Sequence, residues 1–137
     1  MNNVIYLLFH GNAKEALNFY VDSMNAEVIS IKHYYSEIDY DHPIWYEQWW
    51  EKVASANIRK WNLDIILSDI ADENYSIDSH PTYSLVLETK DEGVEIFSKL
   101  SSSGLVIIPY DSSSWWLMIG SCKDKFGNIW MVNFEEK

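Results

Sequence analysis

Cysteine, glycine and positive charge are all scarce in this chain, and each shortage removes a class of function. A single cysteine, Cys122, cannot close an internal disulfide. The five glycines (Gly11, Gly93, Gly104, Gly120 and Gly127) never stand two residues apart, so neither a G-x-G-x-x-G turn nor a P-loop can be built. Dinucleotide and nucleotide cofactors lose their usual cradle. Ten Lys and Arg against 21 Asp and Glu leave a net charge of −11, which repels phosphate backbones and anionic lipid surfaces. Nucleic acid and membranes are therefore not expected as partners. Apolar runs stop after a few residues, as at 65–67, whereas a membrane span needs about 20. The opening MNNVIYLLFHGNAKE has neither a basic n-region nor a cleavage site of small residues, and with the lone cysteine it predicts a cytoplasmic protein.

What is present suits one globular domain. The 137 residues are close to the ~150 typical of a domain. With 47% hydrophobic and 15% aromatic residues, the chain can bury enough apolar surface to offset its ordering entropy.

The element order can be read along the chain. NVIYLLF at 3–9 is too short for a helix and reads as a buried strand. Asn12 suits an N-cap with Glu15 at N3, opening a helix whose stripe is Ala16, Phe19, Tyr20 and Met24. Strands follow at 27–35, 53–60 and 63–68, giving β-α-β-β-β. The segment DIADENYSIDSHP at 69–81 is acidic, ends in proline and reads as a connector. The same order then begins again: a strand at 83–88, a helix at 91–101 with Val94, Phe97 and Leu100 inward, and strands at 105–108, 115–122 and 129–134. A shift of 78 residues places Phe19 on Phe97, Ala26 on Gly104 and Val28 on Val106, so helix and following strand coincide without a gap. Two such units, 1–69 and 82–137 joined by 70–81, make a single α+β domain in which each covers the sheet face the other leaves open.

GNAKEALNFY at 11–20, DIILSD at 64–69, DEGVEIFSKLSSSG at 91–104 and KDKFGNIWMVN at 123–133 together resemble the PhnB-like branch of the glyoxalase/bleomycin resistance/dioxygenase superfamily, also called vicinal oxygen chelate or VOC. The resemblance implies two βαβββ modules forming a cupped mixed sheet with helices outside. It further implies, in the superfamily's enzymes, a divalent metal held by His, Gln or Glu from four strands. Those slots fall here on Ile5, Ile66, Ser84 and Met131, none a competent ligand for a hard cation. The branch is sometimes labelled a methyltransferase, which would require a nucleoside-binding Gly-rich turn that this chain lacks.

Strand alternation supplies an independent expectation. If Leu85 and Leu87 pack under the helices, the cavity receives Ser84, Val86 and Glu88, and likewise Ile5, Leu7 and Phe9, Asp64, Ile66 and Ser68, and Ile129, Met131 and Asn133. Asp64 and Glu88 are then the only carboxylates on an apolar floor. Between His33 and Trp50 lie seven aromatics, Trp45 and Trp49 among them, with four acids and no Lys or Arg. Aromatic faces beside carboxylates suit a cationic or flat neutral ligand, at about 0.5–2 kcal/mol per cation–π contact. The same residues equally suit core filling or a subunit contact. Trp115 and Trp116 are neighbours on a strand, so one of them points into the cavity, whereas Trp130 packs beneath a helix. His33 and His42 lack a recognised ligand spacing, Ser112–Ser114 lack a base, and Cys122 reads as a small buried hydrophobe.

The resulting expectation is a non-catalytic binding protein of the bleomycin-resistance type, without metal or cofactor, that holds an aromatic or cationic small molecule. Its contacts would be Leu7, Phe9, Trp45, Trp49, Asp64, Ile66, Ser84, Glu88, Trp115, Trp116 and Met131. Two alternatives stay open. One is a metal-dependent lyase, isomerase or dioxygenase in which Asp64 or Glu88 recruits the ion at a rearranged site; the other is a protein interaction module working through the aromatic segment. Exposed sheet edges of such half-barrels are commonly covered by a second subunit in the superfamily, so a homodimer is expected.

Overall fold

Short strands that bury only one face, and an amphipathic helix between the first two, set the architecture of each half of the chain. A computed structural model describes residues 3–34, 51–70, 82–114 and 117–135. The chain divides into two compact units, 1–77 and 78–137.

In the first unit, β1 (Asn3–Phe9), α1 (Ala13–Met24), β2 (Glu27–His33), β3 (Val53–Lys60) and β4 (Leu63–Asp69) form a four-stranded mixed sheet of order β1-β4-β3-β2. β1 runs parallel to β4, and the other neighbours are antiparallel. α1 packs on β3 and β4 and buries Ala13, Ala16, Leu17, Tyr20 and Met24. Of the predicted stripe only Phe19 is not fully buried, and Leu17 takes its place in the core. The helix stops at Asn25, whose left-handed backbone (φ 54°) is one asparagine tolerates.

The second unit repeats this with β5 (Thr82–Leu87), α2 (Lys90–Ser101), β6 (Leu105–Ser114), β7 (Leu117–Lys123) and β8 (Ile129–Glu135), in the order β5-β8-β7-β6 with β5 parallel to β8. The predicted 78-residue offset holds from Phe9 to Leu87 at the ends of the parallel strands and from Glu27 to Leu105 at the starts of β2 and β6. Thr89 caps α2, its hydroxyl accepting from the Glu92 N–H at 3.2 Å. The buried face of α2 is Gly93, Ile96, Phe97 and Leu100, not Val94, which is exposed. Gly93 sits there because the Tyr110 ring, edge-to-face with Phe97, fills the space a side chain would occupy: a Cβ at Gly93 would overlap the Tyr110 hydroxyl. Trp130 is fully buried, as expected beneath a helix, and its indole N–H donates to Asp124 Oδ2 at 2.8 Å. Segments 35–50 and 71–81, which contain the predicted aromatic cluster and the connector, lie outside the described residues.

Candidate functional site

Each sheet has one face under its helix and one turned away from the helix, the open face, and the ladder pairing decides which side chains share the latter. In unit 1 two rows cross it. Tyr6, Ile66, Asn57 and Ser30 form the first, and Asp64, Arg59 and Glu27, with Val4 opposite Asp64, form the second. Tyr6 is 66% exposed, whereas its neighbour Leu7 is 1% exposed. The expectation that Ile5, Leu7 and Phe9 face a cavity is therefore corrected. They share a face with Ile65 and Leu67, under the helix, and β1 presents Val4, Tyr6 and Leu8 instead. In unit 2, Leu85 and Leu87 are buried as expected, and Ser84 pairs with Met131 on the open face next to Val86. Glu88, just past β5, is exposed. Trp45, Trp49, Trp115 and Trp116 lie outside the described residues.

Strand pairing also relocates one metal slot. By the 78-residue offset Ser84 corresponds to Tyr6, so the first-strand slot moves from Ile5 to Tyr6, paired with Ile66 as Ser84 is paired with Met131. In unit 1 the pair is a phenol and an aliphatic chain, in unit 2 a hydroxyl and a thioether, and neither pair suits a hard divalent cation. The superfamily's metal does not fit these residues.

Asp64 is on the open face, as expected, but it is engaged. The turn at 61–62 places Arg59 directly across from it, and Arg59 donates from Nε to Oδ1 at 2.6 Å and from Nη2 to Oδ2 at 3.4 Å. The hydrogen bond to Asp64, then the charges of Asp64 and Glu27, hold the guanidinium above its ordinary pKa. Sequence reasoning passes over Arg59, although a tight hairpin between β3 and β4 pairs residues 59 and 64 by simple counting. It also passes over Asn57, which stands two residues before Arg59 on the same face. The Asn57 Oδ1 is shut off from solvent and has no hydrogen-bond partner among the described residues. An unpaired buried acceptor of this kind costs about 1–3 kcal/mol.

The two best-connected carboxylates are structural. Asp69, at the end of β4, accepts the N–H groups of Gly11 and Ala13 on Oδ1 and of Val53 on Oδ2, all at 2.9 Å. It thereby caps α1, a task the sequence assigns to Asn12, whose side chain makes no capping bond. Its backbone carbonyl also accepts from the Tyr34 hydroxyl at 2.6 Å. Asp124 closes the β7–β8 turn, accepting from the Phe126 and Asn128 N–H groups on Oδ1 and from Trp130 on Oδ2. Burial, then the nearby Asp124, pushes the Cys122 thiol up to about 11, so it stays protonated and inert near neutral pH.

Similarity to known proteins bears on what these faces do. A family model described as 3-demethylubiquinone-9 3-methyltransferase matches residues 1–133. The chain belongs to that family. Protein YjdN of Escherichia coli is 28% identical over 93% of this chain and 91% of its own length. The PhnB protein of Bacillus cereus superposes with a TM-score of 0.71 at 24% identity, covering 98% of each chain. A glyoxalase/bleomycin resistance protein/dioxygenase family enzyme of Burkholderia phytofirmans gives 0.63 at 8% identity over 97% of each chain, a likeness of fold. The family's description names a methyl transfer, yet among the described residues neither helix start fits the anionic group of a nucleoside methyl donor. The N–H groups at the start of α1 that would meet such a cofactor's anionic group already bind Asp69, and the first turn of α2 carries Asp91 and Glu92.

Proposed function

We propose that this PhnB-like member of the family is a non-catalytic binding protein that holds a small, flat ligand on an open sheet face without a metal. The observation that supports this most directly is that neither Tyr6 with Ile66 nor Ser84 with Met131 suits a hard cation, and that both oxygens of Asp64 accept from Arg59. An aromatic ligand suits the described residues better than a cationic one. Of the two carboxylates expected there, Asp64 is neutralised by Arg59 and Glu88 stands exposed past the end of β5, while Tyr6 and Val86 offer exposed apolar surface. Protein purified without chelator is expected to carry no stoichiometric Zn, Ni, Mn or Fe, and to bind members of a panel of aromatic amines and phenols in calorimetric titrations. A stoichiometric metal would favour the lyase, isomerase or dioxygenase reading, and silence across the whole panel would remove this one.

A second copy of the chain is part of the proposal. Edge strand β6 exposes four consecutive apolar residues, Leu105, Val106, Ile107 and Ile108, each at least 44%. No charge occurs from 105 to 110, so two chains of net charge −11 meet there with the least repulsion. Sedimentation at micromolar concentration should give twice the 16.1 kDa of one chain; a species at the mass of one chain would contradict it. With a single buried thiol, Cys122, a reducing cytoplasm is the setting assigned to it.

A further inference from the structure

We propose that Asn57 is the polar anchor of the ligand site on the first sheet, accepting a hydrogen bond on Oδ1 from an N–H or O–H of a neutral aromatic ring. The proposal rests on the small-molecule reading above and narrows it to one residue and one kind of ligand. Three observations converge on Asn57. Its Oδ1 is inaccessible to solvent and, among the described residues, unpartnered, in contrast to the buried carboxylates of Asp69 and Asp124, which are well supplied with donors. It lies on the open face, in one row with Ile66 and the exposed ring of Tyr6, so an acceptor is set beside an apolar and aromatic surface of about ring width. The next row is closed to charge: Asp64 is chelated by Arg59, and Arg59 is also attracted by Glu27.

The chemistry follows from these constraints. Because Oδ1 has no partner to give up, a donor that reaches it loses only its own water, and the net hydrogen bond, together with relief of the unpaired acceptor, appears as affinity. Asn57 as a residue is only part-buried, so a turn of its terminal amide presents Oδ1 to a ring without disturbing the Arg59–Asp64 pair. A ring without a donor gains the apolar contact but leaves the amide oxygen as it was. Discrimination therefore resides in the donor, the situation in which a site built around a buried polar group rejects an analogue lacking the matching group.

Matched probes test this: indole against N-methylindole, and phenol against anisole, by calorimetric titration of the full chain. The wild type should prefer the donor-bearing member of each pair by about tenfold or more. Asn57→Leu, close in size and lacking the acceptor, should bind both members alike and remain folded, since it removes an unsatisfied buried group. Equal binding of both members by the wild type, or a preference that survives in Asn57→Leu, would overturn the assignment while leaving the small-molecule reading intact. Failure of every probe to bind would overturn both.

Discussion

Asp69→Ala is expected to destabilise the protein by on the order of 4 kcal/mol, more than any other substitution proposed for this chain. The carboxylate is 1% exposed and serves three backbone donors from two separate segments, Gly11 and Ala13 at the start of α1 and Val53 at the start of β3. Hydrogen bonds to a charged acceptor contribute roughly 1.5–3 kcal/mol each, and the methyl of alanine leaves all three donors without it. Urea unfolding should show a midpoint lowered by about 2 M for a slope near 2 kcal/mol/M. Asp69→Asn separates the contributions. Its remaining oxygen can serve Gly11 and Ala13, but its amide nitrogen then faces the Val53 N–H, donor against donor, so roughly half the loss should remain. A midpoint for Asp69→Ala within about 0.5 M of wild type would mean that water satisfies these groups and the clamp is dispensable.

Gly104→Ala should cost about 3 kcal/mol, which in a chain of this size lowers the melting temperature by roughly 10 °C. Its Cβ would overlap the Lys123 carbonyl oxygen and lie 2.9 Å from the carbonyl carbons of Lys123 and Asp124, all backbone atoms of the neighbouring strand and its turn. No rotamer change relieves such a clash; β6 or β7 must move, and with them the pairing of Leu105 with Lys123. The same change at Gly93 meets the Tyr110 side chain instead, which can rotate at the expense of its packing on Phe97, so a smaller effect is expected there. Ala26, which stands at the position equivalent to Gly104 in the first repeat, shows that a Cβ is not incompatible with the turn as such. A Gly104→Ala protein melting within about 2 °C of wild type would contradict the close approach of β7.

Most element boundaries are legible in the sequence because they coincide with changes of period. The strand at 53–60 matches to the residue, and α2 starts one residue before its predicted start, where Thr89 caps it. The face of β1 is misleading for an equally physical reason. Val4–Phe9 is apolar at every position but the amphipathic Tyr6, so no plainly polar residue marks the wet side and alternation has no phase of its own. The phase is nevertheless present in the repeat: a 78-residue shift carries Leu85 and Leu87, correctly placed under the helix, onto Leu7 and Phe9. Val94 misleads because valine outranks glycine as a core residue when the neighbouring Tyr110 is unknown. The cap of α1 is illegible in principle, since the acceptor lies 56 residues from Ala13. At the candidate site Ile66, Ser84 and Met131 fall on the expected faces, whereas Arg59 and Asn57 carry their meaning only through the partners that hairpin pairing gives, or withholds from, them.

The two aspartate clamps differ in the length of chain they span. Asp124 reaches partners two to six residues ahead, so its turn can close as soon as that stretch exists. Asp69 reaches back 56 and 58 residues to the start of α1, so the first helix is synthesised long before its own terminus can be completed. On a ribosome, α1 must wait for the end of β4 before its start is capped, whereas α2 has its cap from Thr89 immediately ahead of it. Both halves close a long parallel pairing, Asn3 with Leu63 and Thr82 with Ile129, and only in the first does helix completion wait on it as well.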